Sequence, residues 1–186
     1  MKRALDVHRE LLARDVPHEV VRVRGAVVTA DDLPRALDVD PTSCVAVRCY
    51  VTDLGAVAVA VHAGVVPDPA SVLDALGART LRPARPDEVN AATDYAAGLV
   101  SPLVLPPGLP LLADAVLGLA DVVYCPVGEA GVVLGIRAQD LLTASGARVA
   151  TLSALPRSAV LPAPWGGGAR VIDLDARVVR RRRTGS

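Results

Sequence analysis

Val45-Ala46-Val47-Arg48-Cys49-Tyr50-Val51-Thr52, then Asp53-Leu54-Gly55, then Ala56-Val57-Ala58-Val59-Ala60-Val61-His62 reads as strand, turn and strand. The first run is strand-like from Ser43 onward, with Val45, Val47, Cys49 and Val51 in one phase. Alternation of period two under β-branched residues is the signature of a pleated strand. Asp53-Leu54-Gly55 supplies the turn chemistry. The return run is almost wholly apolar, so the spacing predicts a hairpin with a buried centre.

Working outward, Leu5, His8, Leu11 and Leu12 recur at helical spacing, and Val16-Pro17 predicts the end of that helix, because a residue before proline avoids the helical region. His18 to Arg24 reads as a strand with Val21 and Val23 on one face. Thr29-Ala30-Asp31-Asp32 has the pattern of a capping box, and a helix through Leu33, Ala36 and Leu37 stops near Asp40-Pro41. Beyond the hairpin, Pro67-Asp68-Pro69 opens a helix that ends at Gly77. Arg79 to Arg82 reads as a short strand, and Pro86 as a first-turn proline with Asp87 and Glu88 beside it.

Gly98-Leu99-Val100-Ser101-Pro102-Leu103 and a proline-rich loop through Pro110 come next. Strands are expected at Leu111 to Asp114, Val122 to Cys125 and Val132 to Ile136, with the turn Gly128-Glu129-Ala130-Gly131 between the last two. A helix over Ala138 to Ala144 and a strand over Val149 to Leu152 complete the pattern. Interleaved helices and hairpins predict an α/β (α+β) fold: a mixed, mostly antiparallel β-sheet or partial barrel with helices packed around it. Residues 1–153 read as one domain and 154–186 as an appendage, because the chain then turns to Pro156, Pro162, Pro164 and Trp165-Gly166-Gly167-Gly168. Val171, Ile172 and Leu174 can form one more strand. The tail Arg180-Arg181-Arg182-Arg183 reads either as a solvated terminus or as a contact for phosphates.

Composition narrows the function. Of 186 residues 52 % are hydrophobic, yet there is no Phe, one Trp and three Tyr, so the core must be aliphatic and stacking platforms for exposed bases are scarce. The net charge is zero, which leaves no basic field for DNA. Lys2 is the only lysine, so no internal lysine is available as a base. Cys44, Cys49 and Cys125 are odd in number and lack a C-x-x-C spacing, which argues against a disulfide framework or a zinc site and for a reducing cytoplasm. The charged N-terminus does not read as a signal peptide, and no apolar run reaches membrane-span length, so no membrane partner is expected. His8, His18 and His62 are isolated in sequence, and neither metal nor cofactor is expected.

Four stretches, in order, resemble the YbaK-like aminoacyl-tRNA editing (prolyl-tRNA deacylase) family. They are the early elements ending Ala36-Leu37-Asp38-Val39-Asp40-Pro41, then Leu73-Asp74-Ala75-Leu76-Gly77-Ala78-Arg79, then Gly98-Leu99-Val100-Ser101-Pro102-Leu103, the most specific. The fourth runs from Leu109 through Asp114, Val122-Val123-Tyr124 and Gly128-Glu129-Ala130-Gly131 to Gln139-Asp140-Leu141-Leu142. The resemblance covers roughly residues 4 to 153. It implies hydrolysis, in trans, of the ester of a tRNA mischarged with a small amino acid, such as alanine or cysteine on proline tRNA. The implied partner is the acceptor end of an aminoacyl-tRNA. By resemblance Gly98, Ser101 and Pro102 line the pocket, Gly128 and Gly131 form a second wall, and Asp114 holds the family's acidic strand-end position.

One element departs from the family. Its strand "V-x-K-T-L" carries a lysine into the pocket, whereas this chain reads Val45-Ala46-Val47-Arg48-Cys49. Matching the flanking valines puts Val47 in the lysine's place, and a one-residue shift puts Arg48 there on the opposite face. Arginine keeps the charge but cannot act as a base near neutral pH. Two expectations therefore stand: an aminoacyl-tRNA deacylase with Arg48 in the catalytic position, or a catalytically silent homologue that binds aminoacyl-tRNA, another small ligand or a protein. Ser101 reads as a turn residue in preference to a nucleophile, since no G-x-S-x-G elbow surrounds it. Asp31 and Asp32 read as helix-capping acids, and Cys44, Cys49 and Cys125 as small core hydrophobes, with a thiol within reach of solvent as the alternative for Cys125, which precedes a Pro-x-Gly turn.

Overall fold

The computed structural model describes residues 1–25, 27–153 and 170–173. In chain order the elements are α1 (Ala4–Ala13), β1 (His18–Arg22), α2 (Leu33–Leu37), β2 (Val45–Thr52), β3 (Gly55–His62), α3 (Pro69–Leu76), β4 (Leu81–Pro83), α4 (Pro86–Thr93), β5 (Leu111–Asp114), β6 (Val122–Pro126), β7 (Val132–Arg137), α5 (Ala138–Ser145), β8 (Arg148–Ala150) and β9 (Arg170–Asp173). The strands form two sheets, ordered β6-β7-β1-β9 and β4-β2-β3-β5-β8. Pairings β1–β7, β6–β7, β2–β3 and β2–β4 are antiparallel, while β1–β9, β3–β5 and β5–β8 are parallel. A bridge between Cys44 and Tyr124 joins the sheets at one corner. The fold is thus the expected mixed α/β one.

The β2–β3 hairpin is its centre, and both of its faces are covered. Val45, Ala58 and Ala60 enter the main core with Val7 and Leu11 of α1, Tyr95, Val100, Leu134 and Ile136. Ala46 turns the other way, toward Val21, Val23, Leu33 and Leu99. Tyr50, Val57, Val59 and Val61 pack on Val72 and Leu112. This explains why β3 could be so apolar: a strand covered on both sides gains nothing from alternation.

Local chemistry sets the ends of the elements. The Asp68 carboxylate accepts from Ser71 N–H at 2.9 Å and caps α3, which closes on Gly77 with φ +68°. The Asp32 carboxylate accepts from the Val28 and Thr29 N–H groups, both at 2.9 Å, and starts the turn into α2. The short strand expected at Arg79 to Arg82 lies at Leu81–Pro83. The strand expected at Val149 to Leu152 is Arg148–Ala150. It ends early because the Leu152 N–H donates to the Asp114 carboxylate at 3.2 Å, outside the ladder. Within the segment read as an appendage, β9 pairs in parallel with β1, Val20 opposite Val171. Trp165 and the Arg180 to Arg183 tail lie outside the described residues.

Candidate functional site

A cavity of about 500 Å³ runs along the outer edge of β2. Val47, Arg48, Cys49 and Tyr50 form one side, Gly98 and Val100 the other, and Asp31 and Gly64 close one end. Arg48 Nη2 donates to Asp31 Oδ1 at 2.7 Å, and Arg48 Nε donates to the Val65 carbonyl at 3.3 Å. The same Asp31 oxygen accepts from Gly64 N–H at 2.7 Å. The guanidinium is thereby held against the cavity with its side chain 26 % exposed. Of its five N–H donors two are used by these bonds, which leaves three for an incoming oxygen.

Asp31 is a cavity residue that sequence reasoning did not place at the site. Two adjacent acids stand where a cap needs one, and only Asp32 caps. The surplus acid was the available signal. Its role depends on β2 and on the Gly64 turn, which lies 33 residues away in the chain. Burial alone would raise the Asp31 carboxyl. The hydrogen bonds from Arg48 and Gly64, with the guanidinium charge, hold it below the ordinary carboxylate value.

Gly98 has φ +88°, and a Cβ there would lie 3.0 Å from the Val28 carbonyl and 3.2 Å from Thr29 Cγ2. Its own carbonyl accepts from Ala30 N–H at 2.9 Å. Glycine is thus required both by the backbone conformation and by the close packing of the cavity wall on the Thr29 turn. A positively charged strand residue faces a glycine loop across a cleft, with a carboxylate at one end.

A family model for an aminoacyl-tRNA editing domain matches residues 25–144, a span that includes this whole cavity. The chain belongs to the aminoacyl-tRNA editing domain family. Two solved structures share the fold of this editing domain. One is the hypothetical protein APE2540, 26 % identical, with a TM-score of 0.72 over 78 % of this chain and 97 % of that one. The other is described as a proposed trans-editing enzyme for prolyl tRNA synthetase, 26 % identical, with a TM-score of 0.71 over 81 % of this chain and 96 % of that one. No curated protein sequence matches.

The other expected site residues of the editing domain are not all at the cavity. Val47 lines it together with Arg48, with its side chain packed toward the main core. Ser101 is fully buried, and its Oγ accepts from Leu103 N–H at 3.2 Å, the turn role read from the sequence. Pro102 is buried behind the same loop. Gly128 braces that loop from behind: its N–H donates to the Leu99 carbonyl at 3.0 Å, and a Cβ there would fall 2.7 Å from Tyr95 Cδ1. Gly131 has φ +73° and its carbonyl accepts from Val23 N–H at 2.9 Å, beside β1. Asp114 is fully buried away from the cavity lining, with its carboxylate accepting from Leu152 N–H and Ser153 Oγ.

One further expectation changes, and one open alternative closes. His8 and His18 are not isolated: His8 Nδ1 and His18 Nε2 lie 2.8 Å apart, and His18 Nδ1 is 2.7 Å from the Val16 carbonyl. The turn at Asp15 (φ +54°) folds β1 back beside α1 and creates the pair. Cys125 is fully buried, not reachable, and burial pushes its thiol up to about 12. Burial likewise raises Cys44 to about 12 and Cys49 to about 11. All three cysteines are free, and among the described residues no group of three or more His, Cys, Asp or Glu is placed to hold a metal. A second cavity of about 450 Å³, between Arg14, Arg148 and the Pro106 to Pro110 loop, contains none of the expected site residues. Among the described residues no helix is long and apolar enough to cross a membrane.

Proposed function

We propose that the chain is an aminoacyl-tRNA deacylase that acts in trans on a tRNA mischarged with a small amino acid, with alanine and cysteine on tRNA(Pro) as first candidates. The observation that carries this reading is the placement of Arg48 and Asp31 across one cavity from the Gly98 loop. The neighbour described as a proposed trans-editing enzyme for prolyl tRNA synthetase supports the choice of tRNA.

In the reaction, water attacks the carbonyl carbon of the ester and the C=O electron pair moves onto oxygen. Collapse of that intermediate breaks the bond to the ribose oxygen, which takes up the proton that water gives away. The products are the free amino acid and a tRNA with its terminal hydroxyl restored. The ionisable groups at the cavity suit charge stabilisation, not proton shuttling near pH 7. Cys49 is raised to about 11, burial raises Tyr50, Asp31 is held low, and arginine does not deprotonate. Catalysis therefore rests on positioning and on donors aimed at the developing oxyanion, with proton transfer left to substrate hydroxyls and water. Arg48 supplies such donors and Asp31 fixes their direction. Gly98, Ser101 and Pro102 give the opposite wall its shape, and Gly128 and Gly131 hold that wall in place. No role in this step is assigned to Asp114.

The substrate places the protein in the cytoplasm, with an aminoacyl-tRNA acceptor end as partner and no cofactor. Residues 1–153 carry the activity in this proposal, and 154–186 are an appendage to it. A second reading is favoured by one observation: Arg48 is already engaged in an ion pair with Asp31. In that reading the protein is a catalytically silent homologue that binds the aminoacyl-tRNA end. Deacylation of alanyl- and cysteinyl-tRNA(Pro) by wild type and Arg48→Ala decides between them. Hydrolysis above the spontaneous rate that falls in the variant supports the deacylase. No hydrolysis at high protein concentration, together with binding of the charged tRNA, supports the silent form.

A further inference from the structure

The outer edge of β2 has a gap in its pairing at Val47, with a proline on the neighbouring segment to either side. In an antiparallel pair, alternate residues exchange both hydrogen bonds with the partner strand, and the residues between them turn their N–H and C=O to the other edge. The Cys44 carbonyl accepts from Ala63 N–H at 2.9 Å, so Cys44, Ala46, Arg48 and Tyr50 are the residues bonded to β3. Val45, Val47 and Cys49 therefore face outward. The Cys49 carbonyl bears this out, accepting from Ala84 N–H at 2.9 Å beyond the end of β4.

Continuing that register by two residues sets Pro86 opposite Val47. Proline has no N–H to give, and Pro86 instead opens α4. From the other end, the parallel Cys44–Tyr124 bridge is isolated, and β6 ends at Pro126. Neither neighbouring strand pairs with Val47. Among the described residues no strand pairs with Val47 on this outward edge, and Val47 borders the cavity that Gly98 and Val100 also line.

We propose that the Val47 main chain grips the aminoacyl group of the substrate as one residue of a missing strand. An aminoacyl ester carries an α-ammonium and a carbonyl on one carbon, the same arrangement that a strand residue presents across an antiparallel pair. The Val47 C=O accepts from the α-ammonium, and the Val47 N–H donates to the ester carbonyl oxygen. That donor strengthens its bond as negative charge develops on the oxygen, in the way of an oxyanion hole. The side chain of an L-amino acid then stands beside the Val47 side chain, on the face with Val89, Val100 and Ala97. A D-amino acid would turn its side chain to the opposite face, toward Arg48.

This inference rests on the deacylase reading for its substrate. It concerns a backbone group, whereas that reading is carried by Arg48. Two variants remove the Val47 N–H: Val47→Pro, tolerable at an edge that makes no ladder bond there, and replacement of Val47 by its α-hydroxy acid, which keeps the side chain. Both are expected to lower kcat/KM for alanyl-tRNA by about 10²-fold, with unfolding midpoints confirming that each variant is folded. Without any mutation, N-acetyl-alanyl-tRNA should be hydrolysed at least about tenfold more slowly than alanyl-tRNA by wild type, because acylation removes the ammonium. Binding of 3′-alanylamido-3′-deoxyadenosine, which cannot hydrolyse, should weaken by a similar factor on N-acetylation. Full activity in a folded variant that lacks the N–H, or equal treatment of acetylated and free amino groups, overturns the inference and leaves the deacylase reading intact. Amide binding that requires the free ammonium, without any hydrolysis, overturns the deacylase reading alone. A wild type that neither hydrolyses the ester nor binds the amide overturns both.

Discussion

Arg48 and Asp31 are joined through Nη2 and Oδ1 at 2.7 Å, and the same carboxylate oxygen takes the Gly64 N–H. The pair fixes a cation at the cavity edge and half-neutralises it. Arg48→Ala is expected to reduce deacylation by about 10²-fold, the usual loss for one stabilising donor. Asp31→Asn keeps the cation but frees its direction, and should lower kcat by less than Arg48→Ala. Because the pair is half-exposed, its loss should lower stability by only about 0.5–1 kcal/mol. Single-turnover deacylation beside urea unfolding separates the two effects. A larger loss of rate in Asp31→Asn than in Arg48→Ala would contradict the assigned roles.

Ser101 separates a turn from a nucleophile. Its hydroxyl accepts from the buried Leu103 N–H. Ser101→Ala leaves that donor unsatisfied and should destabilise the fold by about 1–3 kcal/mol. The rate per folded molecule should stay within a few-fold of wild type. Complete loss of turnover in a folded Ser101→Ala protein would show that the hydroxyl takes part in chemistry.

Gly128 and Gly98 test the two sides of one loop. Alanine at 128 runs into the Lys2 carbonyl and meets Tyr95 Cδ1 at 2.7 Å, with φ +86°. The combined strain and overpacking should cost about 2–4 kcal/mol. Alanine at 98 meets its neighbours at 3.0 Å or more and should cost about 1–2 kcal/mol, but it alters the cavity wall and should also lower deacylation. Thermal unfolding and turnover should therefore rank the two variants in opposite orders.

The histidines set a pH dependence in the acid range. Burial lowers the His18 pKa, against the bond to Val16, and burial likewise lowers that of buried His62, whose Nδ1 has no partner. A folded value below the unfolded value near 6.5 means that the unfolded chain binds more protons as pH falls. The stability from keeping both rings neutral is complete above about pH 6.5 and is lost as pH drops through the lowered folded values. Asp31, Asp32 and Asp40 contribute in a separate window, because their lowered values delay loss until below about pH 3.8. Urea midpoints should fall between about pH 6.5 and 5 and should fall less steeply in His62→Gln. A flat profile over that interval would contradict the role given to the histidines.

The sequence by itself determined the local structure and much of the order of the fold. The hairpin at residues 45–62 was legible because β-branched alternation and an Asp-Leu-Gly turn are local signals. The Asp68 cap, the Gly77 stop and the first-turn Pro86 were legible for the same reason. The Gly98 to Leu103 loop was legible through its resemblance to the editing family. What the sequence left open was every relation between distant segments. Arg48 and Val47 were competing matches for one lysine, because alternation says that they face opposite ways without saying what lies on either side. Only the tertiary structure brought Asp31 to Arg48, paired His8 with His18 and buried Cys125. It also sent Asp114 to the end of β8 and away from the cavity. Register decided the last point: Pro86 and Pro126 are ordinary loop signals in sequence, and only the pairing of β4 and the Cys44–Tyr124 bridge with β2 shows that Val47 lies between them without a strand partner on that edge.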